Sequence, residues 1–136
     1  MQKNKYLDDL GIDIKNYGTN FISNRDKRNK VWKGQRALYG FDSRETWCLN
    51  YIFAQWLYSH LMMYLEEAGE IVDLNYYKFK YNDKTYTQKE AIEYIIDKIK
   101  NYLLIEDDWS EEERVAMEGM QDAIMLFSKI FPAMWW

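Results

Sequence analysis

The chain has 136 residues, one Pro, six Gly, a single Cys and a formal net charge of −4. That length fits one domain able to bury a core without disulfides. One cysteine excludes an intrachain disulfide and a structural zinc site built on thiolates. Met1 to Lys5 leads into charged, polar sequence with no secretory signal pattern, so a reducing, cytoplasmic setting is expected.

Residues 1–38 read as a basic, less regular segment. Tyr6-Leu7-Asp8-Asp9-Leu10-Gly11 predicts one helical turn ending at glycine, and Gly18-Thr19-Asn20 predicts a loop. Residues 23–38 predict a short helix anchored by Val31, Trp32 and Leu38. Charge divides along the chain: residues 1–36 carry a balance of +5 and the remainder −9. The basic excess sits at Arg25, Lys27, Arg28, Lys30, Lys33 and Arg36. Such a segment can meet nucleic acid, but in a chain that is acidic overall it is expected to be solvated or to dock on its own acidic remainder.

Residues 39–136 read as a helical core. Asp42 and Glu45 have the spacing of a capping box, predicting a helix from there to about Glu67 with a stop near Gly69. Thr46 to Leu65 is twenty residues without a formal charge, long enough to span a bilayer. Asn50, Gln55, Ser59 and His60 interrupt it, and Glu66 and Glu67 follow where a basic anchor would stand. The helix is therefore expected at the buried centre of a bundle, with no membrane partner. Residues 74–86 switch to a two-residue period, Tyr77, Phe79 and Tyr81 alternating with lysines around Asn82-Asp83-Lys84, and predict a small β-hairpin. Thr87 with Glu90 predicts a second capping box. Ile92, Ile95, Ile99 and Tyr102 follow as a stripe, with Ile96 and Leu103 beside it. Ser110 with Glu113 predicts a third capping box, opening a helix whose stripe is Met117, Met120, Ile124, Phe127 and Phe131, ended by Pro132. The fold expected is mainly α: a bundle of three main helices, a hairpin between the first and second, and the less regular N-terminal segment.

Enzyme signatures are poor. Cys48 and His60 stand twelve residues apart, over three helical turns. No nucleophile elbow or glycine-rich phosphate loop is present. The carboxylates of 106–113 lack EF-hand spacing. No cofactor and no metal are expected.

The candidate ligand site is the predicted helix start: Arg36, Tyr39, Arg44, Trp47 and Asn50. A helix N-terminus attracts anions, a guanidinium forks onto phosphate, and Tyr39 and Trp47 offer faces for stacking. The same residues also fit a purely structural role, with Asp42 capping, Arg44 paired to a carboxylate and Trp47 packed inside. Met134, Trp135 and Trp136 either fold back or form an interface; the interface reading predicts a homo-oligomer.

Gly40-Phe41-Asp42-Ser43-Arg44-Glu45-Thr46-Trp47-Cys48-Leu49-Asn50 and Leu126-Phe127-Ser128-Lys129-Ile130-Phe131-Pro132-Ala133-Met134-Trp135 together resemble an uncharacterised family of small phage and prophage proteins. Its motifs look like Gly-Phe-x-x-Arg-Asp/Glu-x-Trp-x-Leu-Asp/Asn and Leu-Phe-x-x-x-Phe-x-x-Leu/Met-Trp. Asn50 stands where an acid is commoner and Cys48 where Asn or Ser is. The resemblance implies a phage or prophage origin, hence the cytoplasm of an infected or lysogenic bacterial host, and transfers no catalytic residue. The expected function is non-enzymatic: blocking a host process, such as defence, by binding. Sequestration of a small anionic, nucleotide-like ligand is the first form. The alternatives are a protein–protein inhibitor or nucleic-acid mimic using the acidic surface, and a carboxylate-dependent hydrolase.

Overall fold

A computed structural model describes residues 4–12, 25–106 and 108–136; the loop expected at Gly18-Thr19-Asn20 lies outside them. The protein is mainly α-helical, with one two-stranded antiparallel sheet. Its contacts divide into two units, Met1–Trp56 and Leu57–Trp136.

In the first unit, α1 (Lys5–Asp9) is a single turn capped by the Asn4 side chain, and Leu7 is buried. Helix α2 (Arg28–Tyr39) ends at Gly40, whose φ of 82° is the left-handed conformation that glycine adopts without strain. Of the three anchors expected on α2, Trp32 is buried. Val31 and Leu38 are exposed instead, because they lie about 100–120° round the helix from Trp32. The Asp42–Glu45 capping box is formed, but it caps a 3-10 turn, Ser43–Thr46, rather than a long helix. Helix α3 (Leu49–Ala68) begins only afterwards.

The charge-free run is not buried all round. Ala54, Leu57, Tyr58, Ser59 and Leu61 are buried, while Leu49, Phe53, Trp56 and Met63 are exposed. Among the described residues no helix is long and apolar enough to cross a membrane. At Gly69, just past α3, an added Cβ would lie 2.5 Å from the Leu65 carbonyl oxygen, so at the stop expected there only glycine fits this backbone.

In the second unit, β1 (Lys78–Tyr81) pairs with β2 (Lys84–Thr87), Phe79 opposite Tyr86. Asn82 and Asp83 both take positive φ, as a two-residue hairpin turn with the twist of the strands requires. Thr87 and Glu90 form the full capping box of α4 (Gln88–Leu103), which buries Ile92, Ile95, Ile99 and Leu103.

Helix α5 (Glu111–Ile130) packs against α4, and its buried face overlaps the expected stripe only in part. Ala116, Met120, Ala123, Leu126 and Ile130 are buried, while Ile124 and Phe131 are exposed. Small side chains let two helix backbones approach closely, and the Lys98 stem passes near bare Gly119, 3.3 Å from where a Cβ would stand. The buried face of α5 thus mixes small Ala116 and Ala123 with Met120, which was on the expected stripe, and with Leu126 and Ile130.

Tyr81 on β1 and Tyr94 on α4 both donate to Asp122 of α5, one to each carboxylate oxygen. That carboxylate joins hairpin, α4 and α5. Each phenol's pKa is raised above the ordinary 10, chiefly because the hydrogen bond to Asp122 holds the proton. A raised native pKa means that the stabilisation is complete below pH 10 and is lost as pH climbs through the native values. Tyr81→Phe and Tyr94→Phe are each expected to lower stability by about 1.5 kcal/mol near neutral pH. Urea melts at about pH 8 and about pH 11 should show the wild type losing more over that interval than the double variant; equal losses would refute the latch.

Candidate functional site

The candidate site at the helix start is built on one buried anion. Asp42 is 1% exposed. Arg36 Nε reaches its Oδ2 at 2.9 Å. Arg44 grips both oxygens, Nε to Oδ1 at 2.9 Å and Nη2 to Oδ2 at 2.7 Å, and its backbone N–H adds a third bond at 3.0 Å. Glu45 completes the ring, accepting from Arg36 Nη2 and from the Asp42 backbone N–H, both at 2.9 Å. Two guanidinium groups thus face two carboxylates, and the local charge is balanced.

Arg44's guanidinium, bonded to Asp42, holds the Asp42 carboxyl below its ordinary value of 3.8, against the opposing effect of burial. Arg44 is raised in return, first by that same bond. Trp32 sits beside the cluster. The Arg44 guanidinium lies 4.6 Å and that of Arg28 5.2 Å from its ring centroid. Its indole N–H donates to Ser43 Oγ at 3.2 Å, and Trp47 meets it edge-on at 6.0 Å. Arg28 is itself paired with Asp26, whose carboxyl it lowers to about 2.

The structure therefore brings Arg36 and Arg44 together, but onto Asp42. Tyr39 is exposed and packs against Phe41, with centroids 6.3 Å apart. Trp47 is 48% exposed, and Asn50 is exposed in the first turn of α3. An anion entering here meets guanidinium forks already bonded to carboxylates.

The chain end docks within its own unit. Gln88, buried at the start of α4, donates through Nε2 to the Tyr64 hydroxyl, the Ala133 carbonyl and the Met134 sulfur. Tyr64 donates to the Trp135 carbonyl at 3.5 Å. Main chain and Met134 fold back, while the rings of Trp135 and Trp136 remain exposed.

A third feature was not singled out from the sequence. Trp109, in the turn before α5, has φ of 63° and is 99% exposed. The expected Ser110–Glu113 capping box is half formed. Ser110 Oγ accepts from the Glu113 N–H at 3.0 Å, but the Glu113 carboxylate turns to the Trp109 N–H instead. Trp109 thus donates its N–H from the left-handed region, which bulky side chains seldom adopt. Exposed carboxylates of Glu106, Asp108, Glu111 and Glu112 surround it in sequence. A concavity of about 400 Å³ beside it is lined by Met117, Arg114 and Glu118, and a groove of about 440 Å³ between the end of α4 and the start of α5 by Leu104, Ile105, Val115 and Lys98. The two positive-φ asparagine and aspartate residues of the hairpin follow turn chemistry; Trp109 does not, so no sequence signal announces its conformation.

Comparison with family models, with curated proteins and with solved structures finds no match to this chain. Among the described residues no group of three His, Cys, Asp or Glu is placed to hold a metal ion.

Asp42→Asn keeps the cap but removes the charge that both arginines share. Because the arginine side chains stay 39% and 24% exposed, the expected loss is about 2 kcal/mol, short of the ~3–5 for a fully buried pair. With its native pKa lowered, Asp42 contributes above its ordinary value and loses that contribution as pH falls through the native one. Denaturant melts of the variant should therefore depend less on pH below about 4 than those of the wild type.

Proposed function

We propose that this protein acts without chemistry of its own, by binding another protein through the acidic turn that opens α5, with Trp109 as the anchor. The observation that carries this is the side chain of Trp109: a tryptophan 99% exposed, on a left-handed backbone that bulky residues seldom adopt. Exposed tryptophan contributes nothing to a core. Buried in a partner's pocket it is among the strongest interface anchors. The acids around it favour a partner whose pocket is rimmed by basic residues, since opposite charge steers encounter. In the phage setting that the resemblance implies, that partner is a host protein blocked by occupation.

Sequestration of an anionic ligand at Arg36 and Arg44 is the weaker reading, because an incoming phosphate must displace Asp42 or Glu45 from charge-assisted bonds at 2.7–2.9 Å. A hydrolase reading is weaker still. At Glu111 the hydrogen bond from Arg114 holds the carboxyl below its ordinary value, the opposite of what a general acid needs there.

Trp109→Gly should raise stability by about 0.5–1 kcal/mol by relieving the left-handed strain while abolishing partner binding. Affinity capture from bacterial lysate should retain a basic protein on the wild type, and lose it both with Trp109→Gly and at high salt. Capture that is equal for wild type and variant would overturn this reading. So would nucleotide-binding heats that vanish in Arg44→Ala.

A further inference from the structure

We propose that the outer face of α2 is a weak, sequence-independent contact for double-stranded DNA. Lys27, Lys30 and Lys33 recur every three residues, so they fall within an arc of about 120° on the helix, centred about 160° round from buried Trp32. All three are exposed. Neither α2 nor its N-cap contains an acidic residue, and among the described residues none of the three lysines forms an ion pair. They differ in this from Arg28, Arg36 and Arg44, whose charges are met by Asp26, Asp42 and Glu45.

The middle of the same arc is bare. Gly34 and Ala37 lie on it, both exposed. A Cβ added at Gly34 would meet nothing within 4 Å, so packing does not require glycine there, and glycine weakens a helix interior. What it leaves is naked backbone among three cations, over which another surface can come close.

Charge complementarity selects that surface. The three lysines span about 9 Å of helix axis, and duplex DNA carries one negative charge per ~1.7 Å of its own axis. A B-form major groove is about 12 Å wide, enough to admit the slim side of an α-helix. An acidic protein surface seldom offers so continuous a line of charge. A bilayer needs a broad apolar face to insert, whereas exposed Val31 and Leu38 stand only at one edge of the arc, about two turns apart. The acidity of the whole chain does not oppose the contact locally. Residues 1–56 carry ten basic and six acidic residues, a balance of +4, and at physiological ionic strength charges beyond about 8 Å are screened. The contact does not involve Trp109 and stands apart from the reading of the acidic turn.

Fluorescence anisotropy of a short labelled DNA duplex of mixed sequence, titrated with the full chain, tests it. Kd should be on the order of 10–100 μM at about 50 mM salt, weakening with a log–log salt slope of about −3, close to one counterion per lysine. Lys27→Gln, Lys30→Gln and Lys33→Gln should each reduce that slope by about one, and the triple variant should lose binding. Gly34→Phe keeps every charge and should weaken binding several-fold by holding the helix off the groove. Circular dichroism checks that it folds; Ala37→Phe serves if it does not. An A-form RNA duplex, with its deep, narrow major groove, should bind more weakly than DNA. No binding at low salt, a triple variant that binds like the wild type, undiminished binding by the Phe variant, or equal affinity for the RNA duplex would each overturn the inference. So would tighter association with phosphatidylserine vesicles than with the duplex, which would mark the face as a lipid contact instead.

Discussion

One buried carboxylate, Asp42, is shared by two guanidinium groups, and the first unit is arranged around it. Taking a carboxylate out of water costs several kcal/mol, and only well-aligned charged hydrogen bonds offset that. Asp42 has four, from Arg36 Nε and from the Nε, Nη2 and backbone N–H of Arg44. Because Arg36 comes from α2 and Arg44 from the 3-10 turn, the same bonds set the angle at which the chain turns back after Gly40. Trp32 follows from the arrangement, since it needs the Arg44 guanidinium near its ring and Ser43 as an acceptor. The strongest anion-binding chemistry in the sequence is thereby turned inward, onto an anion the chain supplies itself.

The second unit rests on a different constraint, the close approach of α4 and α5. Ala116 and Ala123 are buried on α5, as Ile92, Ile95 and Ile99 are on α4. Just before α5, Ser110 accepts from the Glu113 N–H and the Trp109 N–H donates to the Glu113 carboxylate. The Asp122 latch to Tyr81 and Tyr94 and the Gln88 hydrogen bonds to the chain end brace the same helix pair from two further sides.

What could be read in advance was what is local. The Asp42–Glu45 and Thr87–Glu90 boxes each need only residues three apart, and both formed. The hairpin turn at Asn82-Asp83 carries its own conformational preference. On α5 Met120 was rightly placed, but the stripe was drawn partly rotated, since Leu126 and Ile130 are buried where Ile124 and Phe131 were expected. The helix start was placed too early because a capping box does not distinguish a 3-10 turn from an α-helix. The pairing of Arg44 with a carboxylate was one of two readings open in the sequence; that Arg36 joins it was not legible, because its partner lies six residues away, across a chain reversal that spacing does not encode. Trp109 could not be found at all, since its exposure depends on a left-handed backbone that tryptophan's own preferences argue against.

The central claim is that Arg36 and Arg44 are bonded within the fold rather than held ready for a ligand. Arginine side-chain NMR measures this directly, through the Nε–H resonances of the two residues during a titration with inorganic phosphate and then with a nucleotide. Both signals should be protected from solvent exchange and should stay in place throughout, moving only when Asp42 is replaced by Asn. Rapid exchange in the free protein, or a saturable shift of either signal at micromolar nucleotide, would contradict the account.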